Sequence, residues 1–195
     1  MYDGASFAKN QDVVLVSFNY RTNVFGFPTS QELSAPKNNL GLLDQELAFT
    51  WVQDNIAQFG GDKSMVTLMV RMVRKSCASS LTLVLQGQSA GSWSVTLAIA
   101  RREPDVVPPF RAGIMLSGAK VSASPALNFS IFDAFATAMG CRQPPGPQRL
   151  QCLRNVPAST IRAYTNGPNS GLFTSRVDKY AFFPTQEKVL MSLEA

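Results

Sequence analysis

Histidine is absent from all 195 residues. That excludes any chemistry within the chain in which an imidazole is the general base or a metal ligand. Cysteine is scarce, with three in the chain, and charge is low at 16%. No apolar run reaches the length of a membrane span. Internal repeats and low-complexity tracts are missing. Met1-Tyr2-Asp3-Gly4 has neither the basic nor the apolar region of a secretory leader. What remains is 45% hydrophobic, the composition of a globular protein long enough to bury a sizeable core.

The net charge of +5 is unevenly placed. Val70 to Gln86 carries Arg71, Arg74 and Lys75 without an acid, and the rest holds 15 basic and 13 acidic residues. That is an ordinary solvated surface, so nucleic acid is not an expected partner. Cys77 lies in the same segment. Cys141 and Cys152 flank a Pro- and Gly-rich loop, Gln143-Pro144-Pro145-Gly146-Pro147. On spacing alone, a disulfide and two unpaired buried thiols are equally open. No metal site is expected, because nothing near these cysteines completes one.

Val13 to Phe18 is a nearly continuous apolar run that predicts a buried parallel strand. Asp44 to Phe59 predicts a helix with Leu47, Trp51, Ile56 and Phe59 on its apolar side, ended by Gly60-Gly61-Asp62. Met65 to Met69 and Gly113 to Ser117 predict two further strands, with a helix over Trp93 to Ala100 between them. Ile131 to Met139, Gln148 to Val156 and Ala158 to Tyr164 predict helices. Asn166 to Gly171 predicts a turn, and a short helix is expected near the C-terminus after Pro184. Strand, helix, strand, helix, strand is the order of a wound α/β sheet, although three strands do not complete one.

Gly87-Gln88-Ser89-Ala90-Gly91 carries the chemistry. G-x-S-x-G is the nucleophile elbow of serine hydrolases, a strained turn from strand to helix in which flanking side chains would collide with backbone. Ser89 is the nucleophile in this reading. The backbone N–H of Ala90 points at the developing oxyanion, Gly87 and Gly91 give the backbone its room, and the helix N-terminus adds its positive end. At average usage the bare pattern arises by chance in roughly one chain in twenty of this length. The bland alternative is a Gly/Ser-rich loop with Ser89 as a helix cap. A serine hydroxyl also needs a base, and its usual one is missing here.

Several segments together resemble the type-B carboxylesterase family, which includes cholinesterases and related lipases. Tyr2 to Phe7 resembles the stretch after that family's oxyanion loop. Asn19-Tyr20-Arg21 with Phe25-Gly26-Phe27 resembles a strand end and its loop. Asn39-Leu40-Gly41-Leu42-Leu43-Asp44-Gln45 is similar to the family's N-x-G-x-x-D-Q. Trp51 to Asp62 is similar to W-V-x-x-N-I-x-x-F-G-G-D, a highly specific match. The resemblance covers nearly the whole chain, read as a single partial domain over residues 1–195 and about the middle third of a family member.

The resemblance implies a partial α/β-hydrolase fold, an incomplete wound sheet with flanking helices. It implies hydrolysis of a small-molecule or lipid ester through an acyl-enzyme on Ser89, without a cofactor. It also implies a disulfide between Cys141 and Cys152 and a secreted parent. The sequon Asn128-Phe129-Ser130 agrees with export. The family's H-G-G-G loop would lie before Met1, and its acid and histidine beyond Ala195. Asp178 resembles a structural position before a loop, not the acid. The chain alone is therefore expected to be inactive and poorly stable, with sheet edges exposed. The alternative is a non-catalytic cholinesterase-like adhesion module, although such proteins usually lose the serine.

One departure from the family is internal. In the family, Val66 to Met69 would join directly to Gly87, whereas here 17 residues, Val70 to Gln86, intervene. Val70-Arg71-Met72 can be encoded with a splice-donor-like start, Leu81-Thr82 with a branch-site-like sequence, and Gln86 as CAG. The segment reads as a short intron translated in frame, of the kind found in filamentous fungi. The rival reading is a genuine surface loop.

Overall fold

The computed structural model describes residues 4–69, 90–100, 107–114, 128–169 and 171–176. The chain divides into two compact units. The first comprises Met1–Asn19, Glu46–Ser122 and Val189–Ala195, and the second Tyr20–Gln45 and Ala123–Lys188. Helix α1 is Ala5–Gln11, α2 is Asn23–Gly26 and α3 is Leu40–Asn55.

In the first unit, β1 (Thr67–Met69) pairs in parallel with β2 (Ala112–Ile114), with Leu68 opposite Gly113. The Arg111 N–H donates to the Val66 carbonyl at 2.8 Å and extends the ladder by one step. Parallel neighbours need a crossover connection, and α4 (Ala90–Ala100) lies within it and packs on both strands. Its sequence is apolar on every side, and the five successive residues Ser94 to Ala98 are buried. A helix of that composition belongs in an interior. Val95 and Ala98 meet Leu68, Phe49 and Phe110 in a small core. Phe49 meets Phe110 edge-on at 6.1 Å and Phe18 at 6.2 Å, a favoured arrangement of ring quadrupoles.

The second unit is helical in its described residues. α5 (Ser130–Ala138), α6 (Pro147–Arg154) and α7 (Ala158–Thr165) bring Phe132, Phe135, Ala136, Leu153 and Ile161 into one core with Val24 and Phe173. The spacing 132, 135, 136 is the apolar stripe of an amphipathic helix. Pro147 opens α6 at a position where its missing N–H costs nothing. Cys141 and Cys152 are bonded, with Cα atoms 5.8 Å apart, and fasten the loop after α5 to α6.

Two expectations are corrected. Val13 to Phe18 is not a buried strand: its apolar side chains are 39–45% exposed, and it pairs with neither β1 nor β2. A continuous apolar run is buried as a parallel strand only where neighbours bond both edges and helices cover both faces. Helix α3 also starts at Leu40, earlier than expected, and turns a different face inward. The buried stripe of α3 is Leu42, Gln45 and Phe49, while Leu47 is 71% exposed and Trp51 and Phe59 lie outside; Ile56, in the short turn after α3, is buried as expected. Trp51 and Phe59 instead touch each other, ring centres 6.0 Å apart.

Candidate active-site elbow

The site is framed by β1, α4 and β2. Helix α4 approaches β2 closely, and Gly113 of β2 permits this. A Cβ there would sit 2.7 Å from Val95 Cγ1 and 3.1 Å from Ile99 Cδ1 of α4. A larger residue there would have to displace Val95 or Ile99 of α4.

The approach to β1 is fixed by polar contacts. The Asp62 carboxylate accepts from the Ser64 N–H at 2.8 Å and its hydroxyl at 2.7 Å, closing a tight turn over Lys63–Met65. Those two bonds hold Asp62 below the usual carboxylate range. The Gln53 side-chain amide donates to the Lys63 carbonyl at 2.9 Å and to the Pro109 carbonyl at 2.8 Å. One α3 side chain thus ties together the lead-ins to both strands. Sequence reasoning assigned Gln53 no role. The available signal was an amide at a half-buried helix position, within the matched W-V-x-x-N-I stretch.

Ala90 is the first residue of α4 and Gly91 the second. Their backbone N–H groups are among the four that a helix leaves without intrahelical acceptors, at the positive end of its dipole. Such groups suit a developing oxyanion. Gly87 and Ser89 lie outside the described residues, as do Val70 to Gln86 and Asp178. Asn128 is exposed, and its side-chain oxygen accepts from the Ser130 N–H at 3.0 Å.

The other motif residues brace the second unit. Asn39 exchanges two bonds with the backbone of Arg176, donating at 2.7 Å and accepting at 3.0 Å. Asn38 accepts from the Ser30 N–H at 2.6 Å and donates to its carbonyl at 3.1 Å. Both asparagines are fully buried and act as backbone mimics. Arg149 of α6 reaches Glu32, which also accepts from the Ser30 hydroxyl, and Asp133 at 2.7 Å. Burial pushes the Glu32 carboxyl up, but the bonds from Arg149 and Ser30 outweigh it and leave the net value lowered.

Among the described residues no helix is long and apolar enough to cross a membrane. The sequence matches the carboxylesterase family over residues 1–194. It is 36% identical over 180 residues to a chlorogenic acid esterase of Aspergillus niger, covering 90% of this chain and 31% of that protein. It is 37% identical over 179 residues to secreted lipase 1 of Botryotinia fuckeliana (strain B05.10), covering 85% and 28%. It is 32% identical over 198 residues to the acetylcholinesterase of Electrophorus electricus, covering 97% and 27%. The chain thus spans less than a third of the length of these three relatives. It belongs to the carboxylesterase family, whose α/β-hydrolase fold is compatible with the parallel strand pair and flanking helices seen here.

Proposed function

We propose that this chain is the elbow-bearing part of a serine carboxylic ester hydrolase. Ser89 is the nucleophile, the Ala90 N–H is one oxyanion donor, and Gly87 and Gly91 give the turn its backbone freedom. The observation that carries this reading is α4 beginning at Ala90, directly after Ser89, within a parallel strand–helix–strand unit. The serine attacks the ester carbonyl, and the alkoxide formed leans on the helix N-terminus. Collapse expels the alcohol and leaves an acyl-serine for water to cleave. A base must take the serine proton, and the chain contains no histidine. A histidine base must then come from sequence outside these 195 residues, as the family resemblance implies for the acid as well, and the chain alone has little or no esterase activity.

The substrate class is a carboxylic ester, of a small molecule or a lipid, as the names of the relatives suggest. One relative is named as a secreted lipase, and the Cys141–Cys152 disulfide suits an oxidising compartment. These two points support export of the parent protein. Val70 to Gln86 is read as a retained intron, so that in the product of the spliced message Met69, at the end of β1, joins Gly87 directly. The missing histidine favours a second reading, a non-catalytic binding module. A complete G-x-S-x-G speaks against it, because a binding role needs no nucleophile.

The test is to sequence the transcript through this locus in both directions, express its product and assay hydrolysis of short- and long-chain p-nitrophenyl esters. Activity abolished by Ser89→Ala supports the proposal. A full-length product without a histidine and without activity leaves the binding module.

A further inference from the structure

Asn128-Phe129-Ser130 is the only Asn-x-Ser/Thr sequence in the chain, and the elbow chemistry does not use it. We infer that the Asn128 side-chain nitrogen is the attachment point of an N-linked glycan at the start of α5. Three observations meet there. Asn128 and Ser130 are exposed, so the folded unit leaves room for a sugar. The Asn128 side-chain oxygen accepts from the Ser130 N–H at 3.0 Å, a local turn that holds the Asn128 side chain next to Ser130, the hydroxyl residue of the same sequon. The core-facing residues of α5, Phe132, Phe135 and Ala136, begin only two positions after Ser130, so a glycan at Asn128 displaces none of them.

The donor is an oligosaccharide on a lipid pyrophosphate. The Asn128 nitrogen forms a bond to the anomeric carbon while the bond from that carbon to the pyrophosphate oxygen breaks. The nitrogen gives up one proton, and the lipid pyrophosphate leaves with the electron pair. Neither centre needs an oxidant or a metal-bound group of this chain. In the cell the modification rests on the export proposed above, since the donor and its transferase face the secretory lumen. The disulfide in the same unit is the structural companion of that compartment.

The experiment supplies the export step, so the two ideas fail separately. The full chain is translated behind a secretory leader in the presence of microsomes, and only protease-protected, translocated chain is scored. The expected result is one glycosylated band. An amidase that hydrolyses the bond between Asn and its linked sugar should collapse it and leave an aspartate at position 128, read by peptide mass. Asn128→Gln and Ser130→Ala should both abolish the band. Ser130→Ala keeps the backbone N–H and thus the turn, and Ser130→Thr should restore modification. Translocated chain that stays unmodified, or a glycan that survives Ser130→Ala, overturns the inference. Locating the natural protein inside or outside the cell tests export independently.

Discussion

Arg21 holds Asp44 with three hydrogen bonds. Its Nε donates at 2.8 Å, its Nη2 at 2.6 Å, and its own backbone N–H at 3.0 Å. A planar guanidinium across both carboxylate oxygens is the geometry in which an ion pair is strongest and least replaceable by lysine. It fastens the chain leaving Asn19-Tyr20-Arg21 to the first turns of α3. Gly41 belongs to the same joint, because a Cβ there would strike the Arg21 carbonyl oxygen and the ring of Phe27. Two motifs that share no chemistry with the ester reaction are thus two halves of one structural lock.

Asp44→Asn is expected to destabilise the protein by about 1 kcal/mol, since Arg21 is half-exposed and solvent screens much of the attraction. The bonds from Arg21 lower the Asp44 value in the folded state. The unfolded state therefore binds more protons in acid. The contribution is complete above the unfolded value of about 3.9 and is lost as pH falls through the lower folded value. Urea midpoints from pH 7 to pH 3 should show the wild-type advantage over Asp44→Asn shrinking only below about pH 4.

Arg149 sits in a harsher place. Its side chain is 5% exposed and that of its partner Glu32 is 1% exposed. Arg149→Met leaves a buried carboxylate without its cation and should cost about 3–5 kcal/mol. The double variant with Glu32→Gln should recover part of that loss, because the stranded charge is gone. A double-variant cost equal to the sum of the Arg149→Met and Glu32→Gln costs, measured by urea denaturation, would show that the pair is not coupled.

At Gly113 the expected outcome is steric. Gly113→Ala places a methyl group against Val95 and should cost about 1–3 kcal/mol through displacement of α4. In a Val95→Ala background the same change should cost clearly less. A double-mutant cycle on thermal midpoints reads the difference.

The disulfide closes a short loop, with the two cysteines 11 positions apart. Loop-closure entropy for that length amounts to about 3 kcal/mol in the unfolded chain. Replacing Cys141 and Cys152 together by serine should lower stability by about that much, and somewhat more because Cys141 is buried against the α5 core. Denaturation with and without reductant should give the same loss in wild type.

The helices of the second unit were legible because local pattern decides them: 3.6-residue apolar spacing and proline or glycine at their ends. Their observed ends lie within a few residues of the expectation. The strands flanking α4 were legible as short apolar runs. Val13 to Phe18 misled because burial of a parallel strand depends on neighbours, which one segment cannot encode. The face of α3 misled because Leu47 and Trp51 are more apolar than Gln45, yet Gln45 is buried. Gln53 and the Arg21–Asp44 pair were hidden because polar residues reveal their partners only once distant segments are folded together.

The most direct test of the central claim is stoichiometric labelling of the complete protein, translated from the full spliced message, with a tagged fluorophosphonate. Such a reagent reacts only with a serine already activated by a base. The account predicts one label per chain, on the peptide containing Ser89, abolished by Ser89→Ala together with ester hydrolysis. Hydrolysis that survives Ser89→Ala, or a histidine-containing protein in which Ser89 stays unlabelled, would contradict it.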